Sequence, residues 1–216
     1  MFVVVFHPVV HDLVAVLSKA PGKLIVISGP SGSGKSTVLR RVFAESGLPL
    51  VWSVSATTRS PRPGEIDGRD YHFLSQDEFQ GRRQQGEFLE CFEVYSRGHW
   101  YGTLDSEVAP RLAIGDWVVL EIDVEGTMAV LQGYPDAITI FVRPSSREEL
   151  ERRLVARGTE SPQQIERRLD VARRELESID RYAHVVVNDD VDQAVDQLCR
   201  ILKRYRDEDM ASTDAT

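Results

Sequence analysis

The sequence predicts an α/β domain with a parallel central sheet covered by helices on both faces, and three observations carry this. The apolar run Leu24 to Ile27 leads into the glycine-rich octet Gly29 to Ser36 (GPSGSGKS) and then into helix-forming residues from Thr37 to Arg41. Two further runs, Asp116 to Ile122 (DWVVLEI) and Ala137 to Val142 (AITIFV), are almost continuously apolar, as parallel strands buried on both faces tend to be. Helical patterns separate these strands, and that alternation calls for a parallel sheet with crossover helices.

Taken in order, Leu24 to Ile27 is the first strand and Leu50 to Val54 a second short apolar run. The stretch Ser55 to Arg69 (SATTRSPRPGEIDGR) holds proline and glycine that forbid a long helix or a central strand. An arginine-rich loop of this kind is a candidate binding element, with a solvated charged loop as the alternative. Tyr71 to Leu74 reads as a strand, Gln76 to Gln85 as a short helix and Glu87 to Tyr95 as a strand, so residues 55–103 form a small sheet-rich insertion. Glu107 to Ile114 and Gly126 to Gln132 are helices on either side of the 116–122 strand. After the 137–142 strand come two charge-laced helices, Ser146 to Ala156 and Ser161 to Arg181, broken near Gly158 and Pro162. Val185 to Val187 is the last strand and Val191 to Tyr205 the last helix.

With 216 residues, 42% of them hydrophobic, the chain can bury one good core and needs no second domain. A formal net charge of −8 argues against a surface that coats nucleic acid or binds an acidic membrane, so any anion site must be built locally. Cys91 and Cys199 have no metal-ligand spacing, which speaks against a disulfide framework and a zinc site and fits a reducing cytoplasm. Met1 to Leu17 is apolar but interrupted by His7, Pro8, His11 and Asp12, too short for a membrane span and without a secretory signal's layout. Residues 1–21 therefore read as an extension of unassigned role, packed on the domain, unordered, or the product of a misplaced start codon. Residues 206–216 read as a disordered tail.

The octet is the GxxxxGK[ST] loop in the strand and helix context it needs. The loop Gly29, Pro30, Ser31, Gly32, Ser33, Gly34 and onward to Thr37 can turn its backbone N–H groups around a polyphosphate, Pro30 having no N–H and supplying only shape, and the helix N-terminus adds its own donors. Lys35 reaches the terminal phosphates and the Ser36 hydroxyl can ligate Mg²⁺. Asp123 ends a strand at the carboxyl edge of the sheet, where it can hold a metal through water, bind substrate, or cap the following helix. Glu121, by strand alternation, is expected to point away from the site.

Seven motifs in one order resemble a guanylate kinase over residues 22–205: the loop just described, VSATTRSPRPGEIDGRDYHF, GEFLE, WYGT, LEIDVEG, RRLVARGTES and VVNDD. The resemblance implies a P-loop NTPase three-layer fold, with a core of residues 22–54, 104–150 and 170–205, a GMP-binding insertion of 55–103 and a helical lid of about 151–169. It further implies that Arg59, Arg62, Tyr71 and Tyr101 hold the phosphate of GMP, while Ser55, Glu90, Thr103 and Asp123 read its base. A carboxylate can accept from guanine N1–H and the 2-amino group, and hydroxyls can donate to O6, whereas adenine offers the opposite pattern. Arg153, Arg157 and Arg168 match the lid arginines that meet ATP, and Asn188 matches a position near its adenine.

The implied reaction moves the γ-phosphoryl of Mg·ATP to GMP or dGMP. It needs no strong general base, so His72, His99 and His184 are expected to be structural or exposed. The match departs at Tyr95 to Trp100, where a longer hairpin or bulge is expected, and at Trp100 itself, where relatives commonly have tyrosine. Nucleic acid, membrane and obligate protein partners are not expected. Two other classes stay in view: a catalytically dead phosphopeptide-binding module, which would lack Lys35 and the lid arginines, and a sugar-phosphate kinase, which would not need Glu90 with Thr103.

Overall fold

The computed structural model describes residues 22–94, 98–156, 158 and 161–213. In chain order its elements are β1 (Leu24–Ser28), α1 (Lys35–Glu45), β2 (Leu50–Trp52), β3 (Ala56–Thr57), β4 (His72–Phe73), α2 (Gln76–Gln84), β5 (Phe88–Val94) and β6 (His99–Leu104). They continue with α3 (Asp105–Ala113), β7 (Trp117–Glu121), α4 (Val124–Gly133), β8 (Ile138–Arg143), α5 (Arg147–Ala156), α6 (Pro162–Leu176), a 3₁₀ turn (Ile179–Arg181), β9 (His184–Val187) and α7 (Val191–Thr213).

Five strands form one sheet in the order β2-β7-β1-β8-β9, every pair parallel. Side chains alternate across it as strand geometry requires. Ile25 and Ile27 face α1 and α7, in a core with Val38, Leu39, Ala194 and Leu198. Leu24 and Val26 face the other way, with Val108 of α3 and Val130 of α4. Burial on both faces is why the strands read as unbroken apolar runs. The parallel connections also put every strand's carboxyl end, including Ser28 and Glu121, along one edge, so the loops that follow converge there.

A second sheet, β4-β3-β6-β5, makes up the insertion. Its β3 lies inside the stretch read from sequence as a polar loop, yet Ala56 and Thr57 are fully buried between β4 and β6. Phe79 of α2 stacks on Phe88 at 4.5 Å beneath this sheet, and a capping box between Ser75 and Glu78 starts that helix. Trp100 joins Phe79 in that cluster, with Arg83 4.5 Å above its ring. The expected irregularity at 95–100 falls partly on residues 95–97, outside the described residues; a register shift is seen between Phe88 and Glu90.

Two boundaries differ from expectation by more than about two residues. The α6 segment ends at Leu176 rather than Arg181, the last residues forming the 3₁₀ turn. The final helix does not stop at Tyr205 but runs to Thr213, fastened by Lys23 Nζ donating to Asp209 Oδ1 at 2.8 Å. A polar helix can persist on one such anchor and on its own propensity, which composition alone does not reveal. The segment 1–21 lies outside the described residues. No helix among the described residues is long and apolar enough to cross a membrane.

Candidate active site

The loop after β1 has the shape its sequence calls for. Gly29 has a φ of 132°, and a Cβ there would meet the carbonyl oxygen of Val142 at 2.0 Å, so only glycine permits this approach of loop to β8. α1 opens on Gly34 with no side-chain cap and no acidic residue in its first turn, leaving the helix end suited to an anion. Lys35 Nζ folds over the loop and donates to the carbonyls of Gly29 (2.6 Å) and Pro30 (3.1 Å).

A cleft of about 540 Å³ joins this loop to the insertion, bringing Lys35 and Ser36 together with Ser55, Tyr71, Glu121 and Asp123. Glu121 contradicts the expectation that it faces away. It stands two positions before Asp123, so alternation places both on one side, and Ser36 Oγ donates to its Oε1 at 2.7 Å. Asp123 is the N-cap of α4, its Oδ1 accepting from Gly126 N at 2.8 Å, while burial raises its pKa. The capping alternative therefore holds, and the carboxylate lines the cleft as well.

In the insertion, β6 and β5 pair Thr103 with Glu90, and neither side chain is among those that line the cleft. Thr103 Oγ1 donates to Glu90 Oε1 at 2.6 Å, and both residues are buried. Glu90 Oε2 has no partner among the described residues. Burial pushes this carboxyl up to about 7, against the hydrogen bond from Thr103 and with a contribution from the nearby Asp123 charge.

Arg59 is held on every side. Its Nη1 and Nη2 meet the two oxygens of Glu65, each at 2.9 Å, and its Nε donates to the Tyr101 hydroxyl at 3.1 Å. Its guanidinium lies 5.3 Å from the centre of the Tyr71 ring. Glu65 also accepts from Arg62 N at 2.6 Å and is pulled down to about 2, chiefly by Arg59. The exposed Arg62 guanidinium makes no hydrogen bond among the described residues.

From α6, Arg168 Nη2 donates to Ser31 Oγ at 2.8 Å. Arg153 forms the i, i+4 pair with Glu149 (2.6 Å) and also reaches the Ser33 carbonyl with Nη1 (3.4 Å). Arg157 lies outside the described residues. Asn188 is buried, its amide donating to Ser33 O at 2.7 Å. Glu175 of α6, unremarked in the sequence, lines the cleft, and burial raises it to about 7. His72 bonds Glu107 and His184 bonds Tyr205, both at 2.9 Å and both away from the cleft lining.

Of these, Glu65, Glu121 and Glu175 escaped sequence reasoning. The first two carried a signal: Glu65 follows Arg62 by three residues in a turn, and Glu121 shares strand parity with Asp123. Glu175 carried none beyond its place on a charged helix.

A parallel sheet with this loop at its carboxyl edge, one cleft that joins the loop to the carboxylates of Glu65, Glu121 and Asp123, and arginines reaching in from two sides defines a P-loop phosphotransferase. The guanylate kinase family model matches residues 21–205. The guanylate kinase of Rhodopirellula baltica is 54% identical over 187 residues, 86% of this chain and 90% of that protein. That of Gloeobacter violaceus is 50% identical over 83% of this chain and 86% of its own length. The crystal structure of guanylate kinase from Anaplasma phagocytophilum superposes with a TM-score of 0.70 at 31% identity, over 87% of each chain. The chain belongs to the guanylate kinase family, and with it to ATP-dependent phosphorylation of GMP to GDP.

Proposed function

We propose the following division of labour for that reaction. The P-loop and Lys35 hold the β- and γ-phosphates of ATP, with Arg153, Arg157 and Arg168 closing over them from the lid. Arg59, Arg62, Tyr71 and Tyr101 hold the phosphate of GMP. Ser55, Glu90, Thr103 and Asp123 read guanine, and dGMP, which lacks only a sugar hydroxyl, is a second acceptor. The observation that carries the base assignment is the buried Glu90 carboxylate, oriented by Thr103 through Oε1 with Oε2 left to accept. Paired donors on guanine N1 and the 2-amino group suit it, while adenine would leave that oxygen facing another acceptor.

The residues present fit Mg²⁺. The Ser36 hydroxyl donates its hydrogen bond to Glu121, so its lone pairs stay open to a hard cation. Among the described residues no group of three or more His, Cys, Asp or Glu could cage a metal alone, in keeping with an ion held by Ser36, phosphate oxygens and water. Bound there, Mg²⁺ supplies charge neutralisation on the transferring group. The rest of the catalysis is alignment: the cleft faces the acceptor phosphate toward the loop, arginines and Lys35 offset the charge, and lid closure excludes water.

The test is release of ADP from Mg·ATP with GMP, dGMP, AMP, CMP, UMP and dTMP each as acceptor. Turnover with the two guanine nucleotides far above the rest is expected, and Lys35→Ala is expected to abolish it without changing the melting temperature by more than a few degrees. Equal turnover with AMP would refute the base assignment.

A further inference from the structure

The Asn188 side chain is 1% exposed, too buried to stand open at a nucleoside-binding surface. Its Nδ2 donates to the carbonyl of Ser33 at 2.7 Å, the same carbonyl that Arg153 Nη1 approaches. The backbone fixes it in turn: Asn188 N donates to Arg143 O at 2.8 Å at the end of β8, and Asp189 Oδ1 accepts from Ser145 N at 2.9 Å. Gly34 makes room for it. A Cβ at Gly34, whose φ is 87°, would stand 2.4 Å from Asn188 Nδ2. The loop and this asparagine are thus fitted to one another on the side of the loop where the Ser33 carbonyl points.

The Ser33 carbonyl and the Gly34 N–H belong to one planar trans peptide, in which C=O and N–H point in opposite directions. Anchoring the carbonyl on Asn188 therefore turns the Gly34 N–H away from Asn188. We infer that Asn188 is a positioning residue of the phosphate cradle, acting on the donor's triphosphate through the Ser33–Gly34 peptide whatever base the donor carries. The inference rests on reading the loop as the site of the donor triphosphate. It gives Asn188 a role other than contact with the adenine near which the family resemblance places it.

Two variants separate these roles. Asn188→Ala removes the donor, and Asn188→Asp keeps the shape but sets an acceptor against the Ser33 carbonyl. Dissociation constants would be measured by calorimetry for Mg·ATP, Mg·GTP and magnesium tripolyphosphate, alongside hydrogen exchange at the Gly34 amide. GMP binding and the melting temperature report a folded protein. Loss of one buried hydrogen bond predicts that all three ligands weaken together by about ten- to a hundredfold, with faster exchange at Gly34 and GMP binding unchanged. Should Asn188→Ala fail to fold, the isosteric Asp variant is read alone against the same expectation. A loss confined to ATP, with tripolyphosphate binding intact, would overturn the inference in favour of a base contact. Unchanged binding of all three ligands would overturn it too. If the unaltered chain binds neither ATP nor tripolyphosphate, the reading of the loop itself fails, a result distinct from both.

Discussion

On the proposed assignment, Glu90→Gln isolates base recognition from the phosphate contacts. The amide oxygen can keep the 2.6 Å bond from Thr103, so packing is preserved, but an NH₂ group replaces the unpartnered Oε2. Two donors of guanine would then face a donor. A hydrogen bond to a charged group contributes about 1.5–3 kcal/mol, so losing two predicts about 3–6 kcal/mol and a fall of roughly 10² to 10⁴ in kcat/KM for GMP. With IMP, which lacks the 2-amino group, one contact is at stake and the fall is about 10- to 100-fold. The pH profile is a second readout. Burial lifts the carboxyl from 4.5 to about 7, and only the charged form accepts both bonds. GMP affinity is therefore expected to rise with pH up to about 7 and then level off, and the Gln variant is expected to lose that dependence. The assay is coupled ADP release across pH 5.5–8.5, with ATP binding followed separately. Equal losses for GMP and IMP, or a matching loss of ATP affinity, would refute the reasoning.

Glu175→Gln tests a buried charge through stability. The folded carboxyl is raised to about 7 from 4.5, so the folded protein binds more protons between those values and loses stability as pH climbs through them. At pH 8 the variant is expected to be more stable by up to about 3 kcal/mol, visible as a melting temperature higher by roughly 6–12 °C, with no difference at pH 4.5. Glu65→Gln removes the clamp on Arg59 and is expected to raise KM for GMP about tenfold with kcat and ATP affinity little changed; an unaltered KM would show that Arg59 needs no such support. Ser36→Ala is expected to raise the Mg²⁺ concentration for half-maximal rate while leaving metal-free ATP binding in place, as equilibrium titration would show.

Much of the fold is legible because its determinants are local. Strands covered on both faces must be apolar throughout, so β1, β7 and β8 announce themselves, and the glycine spacing of the loop reads directly as a phosphate-binding turn, although the atoms that leave no room for a Cβ there belong to Val142, Leu154 and Asn188, far away in the chain. The failures have a common cause. β3 is two residues of strand buried by its partners β4 and β6, which come from 16 and more residues away, and nothing in a polar proline-rich stretch marks it. The C-terminal helix persists past Tyr205 through a contact with Lys23, distant in sequence.

The sequence by itself determined the class of chemistry: an octet with the spacing of a phosphate-binding loop, on the turn that parallel strands and helices make at their carboxyl edge, with the ordered motifs of the guanylate kinase family around it. Only the tertiary structure decided how the charges are shared. That Glu121 accepts the Ser36 hydroxyl hydrogen bond, that Glu175 comes to the cleft and that Asn188 lies buried behind the loop are facts of proximity between elements far apart in the chain, and that Glu65 clamps Arg59 is a fact of how one loop folds on itself. Hydrogen bonds and desolvation act over a few ångströms, and sequence order says little about which side chains come that close.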